Sequence, residues 1–283
     1  SRWSAGRESA STRTPSIAEM IADPRVRGVS LTGSERAGAA VARTAAEHLK
    51  KSVLELGGSD PLIVLEDADI ARVARAAATA RLSNAGQACN SPKRMIVPSA
   101  RLDEFVAAIV EEFEGATLGD PLDEGVDVGP LSSLGARDGV VEQVARAVEQ
   151  GATLHTGGDA LDREGAFMRP AVLTGVTPDM DAYSEEIFGP VAVIYGAESV
   201  DHAVELANDV SFGLSGSVWS EDLARAQEVA DRLDVGMAYV NEHGTTLPGL
   251  PFGGVKRSGY GRELGRWGMG EFVNVRLRRT AVR

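Results

Sequence analysis

Residues 26–58 read VRGVSLTGSERAGAAVARTAAEHLKKSVLELGG. The apolar run at 26–31 predicts a strand, the TGS triplet at 32–34 a turn, and the alanine-rich segment 37–50 a helix. A second strand is predicted to begin at Ser52 and to end at Glu55. Strand, helix and strand in this order predict a β-α-β unit, which places the chain in the α/β class.

The alternation of strands and helices continues along the rest of the chain. Residues 242–261 are rich in glycine and proline, which predicts an irregular functional loop. Residues 271–282 alternate apolar and polar side chains, which predicts an edge strand that pairs with another subunit. Further strands are predicted at 61–65, 95–97, 153–154, 191–194, 216–219 and 236–241, and further helices at 67–82, 102–113, 140–149, 200–207 and 223–233.

The composition excludes several classes of function. The chain has 283 residues and a net charge of −12, which argues against binding to nucleic acid or to anionic lipid. No apolar run approaches the roughly 20 residues that span a membrane. The single cysteine cannot form an internal disulfide, which favours a reducing, cytoplasmic location. Residues 1–15, rich in Ser, Thr and Arg, are expected to be a disordered or non-native tail, with an organelle transit peptide as the alternative.

Two turns that contain glycine carry the candidate catalytic groups. Cys89 ends the stretch NAGQAC at 84–89, and Glu55 opens the stretch ELGG at 55–58. A thiol that attacks a carbonyl and a carboxylate that activates water are the two groups that covalent acyl chemistry needs. Composition alone favours a buried structural cysteine, but the glycines around Cys89 and Glu55 favour the catalytic interpretation. No metal site is predicted.

Three further motifs each have a structural and a functional interpretation. The TGS turn precedes a helix, where a phosphate binds well, although a serine there is commonly only an N-cap. In EEIFGP, at 185–190, the acidic pair could bind sugar hydroxyls beside a packed aromatic ring, or could simply be solvated. The segment PFGGVKRSGYGRELG, at 251–265, holds five glycines. This density suits close approach of the backbone to a ligand or another chain, and the alternative is an ordinary surface loop.

Together the motifs LTGS, ELGG, GQAC, EEIFGP and PFGG, in this order and at these separations, resemble the NAD(P)-dependent aldehyde dehydrogenase family. The resemblance extends from about residue 16 to the C-terminus. It implies that Cys89 attacks the aldehyde, that hydride passes to the nicotinamide, and that Glu55 activates the water that hydrolyses the thioester. It also implies that the backbone N–H of Cys89 donates to the oxyanion and that Glu263 helps to relay protons from the base.

The resemblance implies NAD or NADP as the cofactor. Ser34 would contact its pyrophosphate, Glu186 would hold the nicotinamide ribose, and Phe188 would pack near the nicotinamide. The residues assigned to the cofactor are Thr32, Gly33, Ser34, Leu56, Gly57, Glu186 and Phe188.

The substrate suggested by the resemblance is an aldehyde that ends in a carboxylate. Family members that transfer the acyl group to coenzyme A tend to lack the base, so Glu55 favours release of a free acid. The motifs LGGSDP at 56–61, QACN at 87–90 and KR at 93–94 look most like bacterial succinate-semialdehyde dehydrogenases. A carboxylate needs a cation in its pocket. Arg81 is the candidate, with Thr245 or Thr246 as hydroxyl donors.

The resemblance also divides the chain. We expect a tail at 1–15, the remnant of a Rossmann-type dinucleotide-binding domain at 16–56, a parallel-sheet catalytic domain at 57–256, and a C-terminal segment at 257–283 with an oligomerisation strand. A homo-oligomer, dimer or tetramer, is expected. A complete family member carries more of the dinucleotide-binding domain, including an Asn of the oxyanion hole and a Lys on the adenine ribose. An inactive interaction subunit and a nucleotide-independent thioesterase therefore stay open as alternatives.

Overall fold

The structure, a computed structural model, describes residues 16–281. Its helices are α1 (Ile17–Ala22), α2 (Glu35–Glu47), α3 (Ile70–Leu82), α4 (Leu102–Gly115), α5 (Leu134–Glu149), α6 (Asp181–Ser184), α7 (Val200–Asn208), α8 (Leu223–Ala230) and α9 (Gly265–Glu271). Its strands are β1 (Gly28–Thr32), β2 (Lys51–Glu55), β3 (Asp60–Val64), β4 (Pro92–Pro98), β5 (Thr153–Thr156), β6 (Ala171–Thr174), β7 (Val191–Ala197), β8 (Phe212–Gly213), β9 (Ser215–Trp219), β10 (Met237–Val240), β11 (Val255–Lys256) and β12 (Gly259–Tyr260).

Side-chain caps fix where the helices next to the site begin. The hydroxyl of Ser34 accepts a hydrogen bond from the backbone N–H of Ala37 at the start of α2. Asp69 does the same for Arg72, so α3 begins at Ile70. Such caps satisfy N–H groups that have no partner within the helix. The start of each helix, and therefore the end of the loop before it, is set by a local residue.

The larger sheet has the strand order β10-β9-β3-β4-β7-β6-β5. All neighbouring strands run parallel except β5, which runs antiparallel to β6. Strands β3, β4 and β7 are buried along almost their whole length, as their largely apolar sequences predict for the centre of a parallel sheet. Helices α3 and α4 pack together, and α7 and α8 pack against β3, β4, β9 and β10. The predicted α/β fold with a parallel sheet is confirmed.

The smaller sheet joins the two ends of the chain. Strands β1 and β2 run parallel, and β12 pairs antiparallel with β2, placing Gly259 opposite Glu55. Helix α2 lies close to β2 because Gly38 has no side chain; a Cβ there would lie 2.6 Å from Leu56 Cδ2. The predicted β-α-β unit is present, and the C-terminal segment returns to it. The proposed domain boundaries stay a prediction.

The strand predicted for residues 271–282 does not form within the single chain, and its pairing with another subunit stays a prediction. Glu271 ends α9, and residues 272–281 form neither helix nor strand. Val275 and Leu277 are 99% and 89% exposed. A strand needs a neighbour to bond its backbone groups, and the described part of the chain offers none here.

Some expectations fall partly or wholly outside the described residues. Residue 282 of the predicted edge strand and the tail at 1–15 lie outside them. Among residues 16–281, no helix has the length and apolar character needed to cross a bilayer. The same residues contain no group of three or more His, Cys, Asp or Glu side chains that could hold a metal ion.

Candidate active site

The candidate site lies where the two sheets meet. Strands β1 and β2 present their carboxyl ends, with Glu55 as the last residue of β2. The larger sheet presents the amino ends of β4 and β7, which Cys89 and Phe188 precede. Between them is a cavity of about 370 Å³. It is lined by Thr32, Gly33, Ser34, Glu55, Leu56, Gly57, Cys89, Glu186 and Phe188, each of which the sequence assigned to catalysis or to the cofactor.

A tight turn presents Cys89 to the cavity. Residues Asn84, Ala85 and Gly86 have positive φ angles of 53°, 53° and 73°, so the chain reverses sharply before the cysteine. A Cβ at Gly86 would lie 2.3 Å from the carbonyl carbon and oxygen of Gly189. Glycine is required at 86 for both reasons, the left-handed backbone and the close approach. The turn is thereby pressed against the loop that carries Glu186 and Phe188.

Glu186 is held at the wall of the cavity by two donors. Its Oε1 accepts a hydrogen bond from the backbone N–H of Gly58 at 3.1 Å and lies 3.3 Å from Lys93 Nζ. A Cβ at Gly57 would lie 2.4 Å from Oε2, so a side chain at 57 would displace the carboxylate from this position. The interpretation of a solvated acidic pair therefore applies only to Glu185, which pairs with Arg146 at 2.7 Å.

Glu55 is a buried carboxylate without a hydrogen-bond partner. The residue is only 2% exposed, and neither of its oxygens has a partner among residues 16–281. Burial raises the pKa of Glu55 to about 7; the charge of Glu263 adds to this rise and Arg262 opposes it. A carboxyl group with this pKa can accept and release protons near neutral pH, as a general base must.

Glu263 lies near Glu55 but outside the cavity lining. It accepts a hydrogen bond from the hydroxyl of Ser30 at 3.0 Å, and its backbone pairs with Phe252. Its contribution to the pKa of Glu55 reflects the proximity of the two carboxyl groups. Its assignment as a proton relay stays a prediction.

The cavity holds a thiol and a carboxyl group beside a helix N-terminus. The model of the aldehyde dehydrogenase family matches residues 11–277. The chain belongs to the aldehyde dehydrogenase family.

Relatives within the aldehyde dehydrogenase family include succinate-semialdehyde dehydrogenases [NADP(+)]. That of Deinococcus radiodurans is 54% identical over 268 residues, covering 95% of this chain and 56% of the relative. That of Mycobacterium avium is 46% identical, covering 92% of this chain and 55% of the relative. The chain thus spans a little over half the length of these curated relatives.

Solved structures of aldehyde dehydrogenases superimpose closely on the chain. Succinic semialdehyde dehydrogenase from Streptococcus pyogenes, in complex with NADP+, has a TM-score of 0.89 and 45% identity, covering 91% of this chain and 57% of that one. Betaine aldehyde dehydrogenase from Staphylococcus aureus, in complex with NAD+, has a TM-score of 0.87 and 34% identity, covering 90% and 51%. The fold of the chain is therefore that of aldehyde dehydrogenases.

The assignment of Arg81 to the substrate is wrong. Arg81 is fully buried, and its guanidinium donates to the main-chain carbonyl of Val191 at 2.6 Å and to the hydroxyl of Ser91 at 3.1 Å. It also donates to the carbonyls of Gly86, Ile187 and Gly189. With its donors engaged in these loops, Arg81 cannot also bind a substrate carboxylate.

Replacement of Arg81 should destabilise the fold. Arg81→Met leaves several buried carbonyl groups without a donor, so we expect the free energy of unfolding to fall by at least about 3 kcal/mol. Urea unfolding followed by tryptophan fluorescence measures this. Arg72→Met is the control on the same helix, since Arg72 forms an exposed ion pair with Glu221, and should change stability by less than about 0.5 kcal/mol. Equal losses in the two variants would contradict the structural role of Arg81.

The predicted hydroxyl donors are also absent from the cavity lining. Thr245 and Thr246 are both exposed, and the hydroxyl of Thr245 donates to the carbonyl of His243 at 3.2 Å. The residues lining the cavity include no cation and neither threonine. The structure thus does not bring Thr245 or Thr246 into the site.

Sequence reasoning missed two buried charges beneath the site. Lys93 is 2% exposed and Asp60 is 3% exposed. Asp60 accepts hydrogen bonds from both the backbone N–H and the hydroxyl of Ser215, and burial raises its pKa to about 7. A signal was present, because Asp60 begins the otherwise apolar strand β3 and Lys93 stands near the start of β4, where an unpaired charge would be costly.

Proposed function

We propose that this chain oxidises an aldehyde to a carboxylic acid with NADP+ or NAD+, with succinic semialdehyde as the substrate. The observation that carries the proposal is the cavity, which Cys89, the proposed nucleophile, and Glu55, the proposed base, line together with the residues assigned to the cofactor. The names of the relatives support the substrate and the cofactor. Among residues 16–281, those that line the cavity include no cation.

The residues around the cavity fit a dinucleotide. Ser34 uses a lone pair to cap α2, so its hydroxyl proton is free to bind a phosphate oxygen beside the positive end of that helix. Glu186 offers a carboxylate to ribose hydroxyls, and the ring of Phe188 is 42% exposed. When bound here, NAD(P)+ supplies the hydride acceptor.

Catalysis by the chain's own residues begins at Cys89. Its Sγ attacks the aldehyde carbonyl and, after oxidation, holds the acyl group as a thioester. The backbone N–H of Cys89 is the donor that the chain offers to the oxyanion. Glu55 then removes a proton from water, which attacks the thioester and releases the acid. The buried carboxylate of Glu55 suits this role because, within residues 16–281, it has no hydrogen-bond partner to exchange for the water.

The test follows nucleotide reduction by the purified chain. Succinic semialdehyde should give one NADPH for each succinate released, and hexanal should be a poorer substrate as judged by kcat/KM. Circular dichroism establishes that the sample is folded. Absence of nucleotide reduction by a folded sample, with NADP+ and with NAD+, would overturn the proposal. Equal kcat/KM values for the two aldehydes would overturn the assignment of the substrate.

The hydrolysis step should depend on pH through Glu55. Because the pKa of Glu55 is raised to about 7, the base is largely protonated below that value and ionised above it. We expect thioester hydrolysis to rise with pH through about 7 and then to level off, with a rate at pH 6 about tenfold below the plateau. Succinate release in single-turnover experiments measures this step. A rate that does not vary between about pH 5.5 and 8 would exclude a base with this pKa.

A further inference from the structure

Lys93 is a buried cation whose three hydrogens are matched by three acceptors. The residue lies in β4, and its side chain is 3% exposed. Its Nζ donates to the carbonyl of Ala88 at 3.0 Å and to that of Cys89 at 2.9 Å. The third acceptor is Oε1 of Glu186, at 3.3 Å. A lysine ammonium has three donors and no acceptor, so these contacts use it completely.

The contact with Ala88 bears on the oxyanion donor. The carbonyl of Ala88 and the N–H of Cys89 belong to one planar peptide group. A cation at the carbonyl oxygen fixes the orientation of this group and polarises it, which strengthens the N–H as a donor. Lys93 therefore acts on the reacting centre through the peptide and does not line the cavity itself.

The contact with Glu186 joins this peptide to the cofactor wall. Glu186 also accepts from Gly58, and Lys93 lies 5.9 Å from the centre of the Phe188 ring. One ammonium thus contacts the turn of the nucleophile and the loop that would carry the nicotinamide ribose. A change in the charge or position of Glu186 alters how far the charge of Lys93 is neutralised.

The other charges around Cys89 act with or against Lys93. Burial raises the pKa of the Cys89 thiol, Asp60 on β3 and Glu55 on β2 raise it further, and Lys93 lowers it. Around Lys93 itself, the carboxylates of Glu186 and Asp60 favour its charged form, and burial and Arg81 on α3 oppose it. Lys93 is the cation among the side chains that act on the thiol.

We propose that Lys93 is a positioning residue that joins the turn of Cys89 to the carboxylate of Glu186. Through this contact, a change in the charge or position of Glu186 alters the reactivity of Cys89. The proposal deepens the proposed function and rests on it for the identity of the ligand at Glu186. The link between the three residues is a property of the chain alone and is tested without cofactor or aldehyde.

Alkylation by iodoacetamide measures the link directly. Cys89 is the only cysteine, so the rate of alkylation as a function of pH reports on this thiol alone. In Lys93→Met the pH of half-maximal alkylation rate should rise by about one unit. At a pH below this midpoint, alkylation should then be roughly tenfold slower than in the wild type. In Glu186→Gln the midpoint should fall, because the charge of Lys93 is no longer neutralised. In the double variant the effect of Glu186→Gln should largely disappear.

Lys256→Met is the matched control. Lys256 also donates to main-chain carbonyls, of Asn208 and Val210, and pairs with Asp234 at 3.0 Å, but it lies outside the cavity lining. Its variant should leave the alkylation profile unchanged. A purely structural role for Lys93 would leave the profile of Lys93→Met unchanged as well. Shifts of Lys93→Met and Glu186→Gln in the same direction, or no shift in either, would overturn the proposal.

Two readouts keep the outcome decisive. If circular dichroism shows that Lys93→Met is unfolded, the alkylation profile of Glu186→Gln is compared with that of Lys256→Met. Only a fall in the half-maximal pH of Glu186→Gln supports the link. For turnover, Lys93→Met should lower kcat by roughly 10–100-fold with little change in KM for the aldehyde, as expected when an oxyanion donor is weakened. If the wild-type chain gives no turnover, the proposed function fails, and the alkylation series still decides the role of Lys93.

Discussion

Replacing Cys89 with alanine is expected to abolish aldehyde-dependent formation of NADPH, with a fall in kcat of at least about 10⁴-fold. The thiol is the proposed nucleophile at the cavity, and no second cysteine exists to replace it. The turn that carries it depends on the backbone of Gly86 and on contacts of Lys93 with main-chain carbonyls, which alanine preserves. The loss should therefore be chemical, without unfolding. The absorbance of NADPH measures it.

The control for Cys89→Ala is binding of the nucleotide. Titration of the variant with NADP+, followed by tryptophan fluorescence, should give a dissociation constant within about threefold of the wild type, since Ser34 and Glu186 remain in place. Turnover within tenfold of the wild type would remove Cys89 from the mechanism. A variant that loses both turnover and binding would point to a structural role for the residue.

Glu55→Gln should stop the reaction after one turnover. Glutamine has the shape of glutamate but cannot accept a proton from water, so the thioester should form and then persist. We expect a burst of about one NADPH per site in rapid-mixing experiments, followed by a steady-state rate roughly 10²–10³-fold below that of the wild type. Absence of the burst, or an unchanged steady-state rate, would contradict the role of Glu55 as the base.

The same variant should be more stable than the wild type in alkaline solution. The pKa of Glu55 is about 7 in the folded chain, above its ordinary value of 4.5. The folded state therefore binds this proton more tightly, and stability is lost as pH rises from about 4.5 through 7. Glu55→Gln removes that loss. Its melting temperature relative to the wild type should increase at pH 8 and change little at pH 4.

Local signals in the sequence predicted most of the fold. Caps such as Ser34 and Asp69 mark the helix starts, and the buried strands are largely apolar. The resemblance of five motifs to the aldehyde dehydrogenase family assigned Cys89, Glu55 and Glu186 to one site. The lining of the cavity was therefore accessible before the structure.

The remaining features depend on partners distant in the sequence. Arg81 donates to Val191, 110 residues away, so no local pattern distinguishes this structural arginine from a substrate contact. Lys93 is buried because Glu186 and two turn carbonyls surround it. The C-terminal alternation was interpreted as a strand, but hydrogen-bonding partners, which a sequence does not display, decide whether such a segment becomes one.

Arg81 has a consequence for local opening of the folded protein. One guanidinium on α3 bonds the turn before Cys89, through Gly86, and the loop before β7, through Ile187 and Gly189. If one loop detaches while the other stays in place, part of the Arg81 guanidinium loses its hydrogen-bond acceptors. The two loops should therefore behave as one cooperative unit in native-state hydrogen exchange, with amides far better protected than irregular backbone at a cavity mouth usually is.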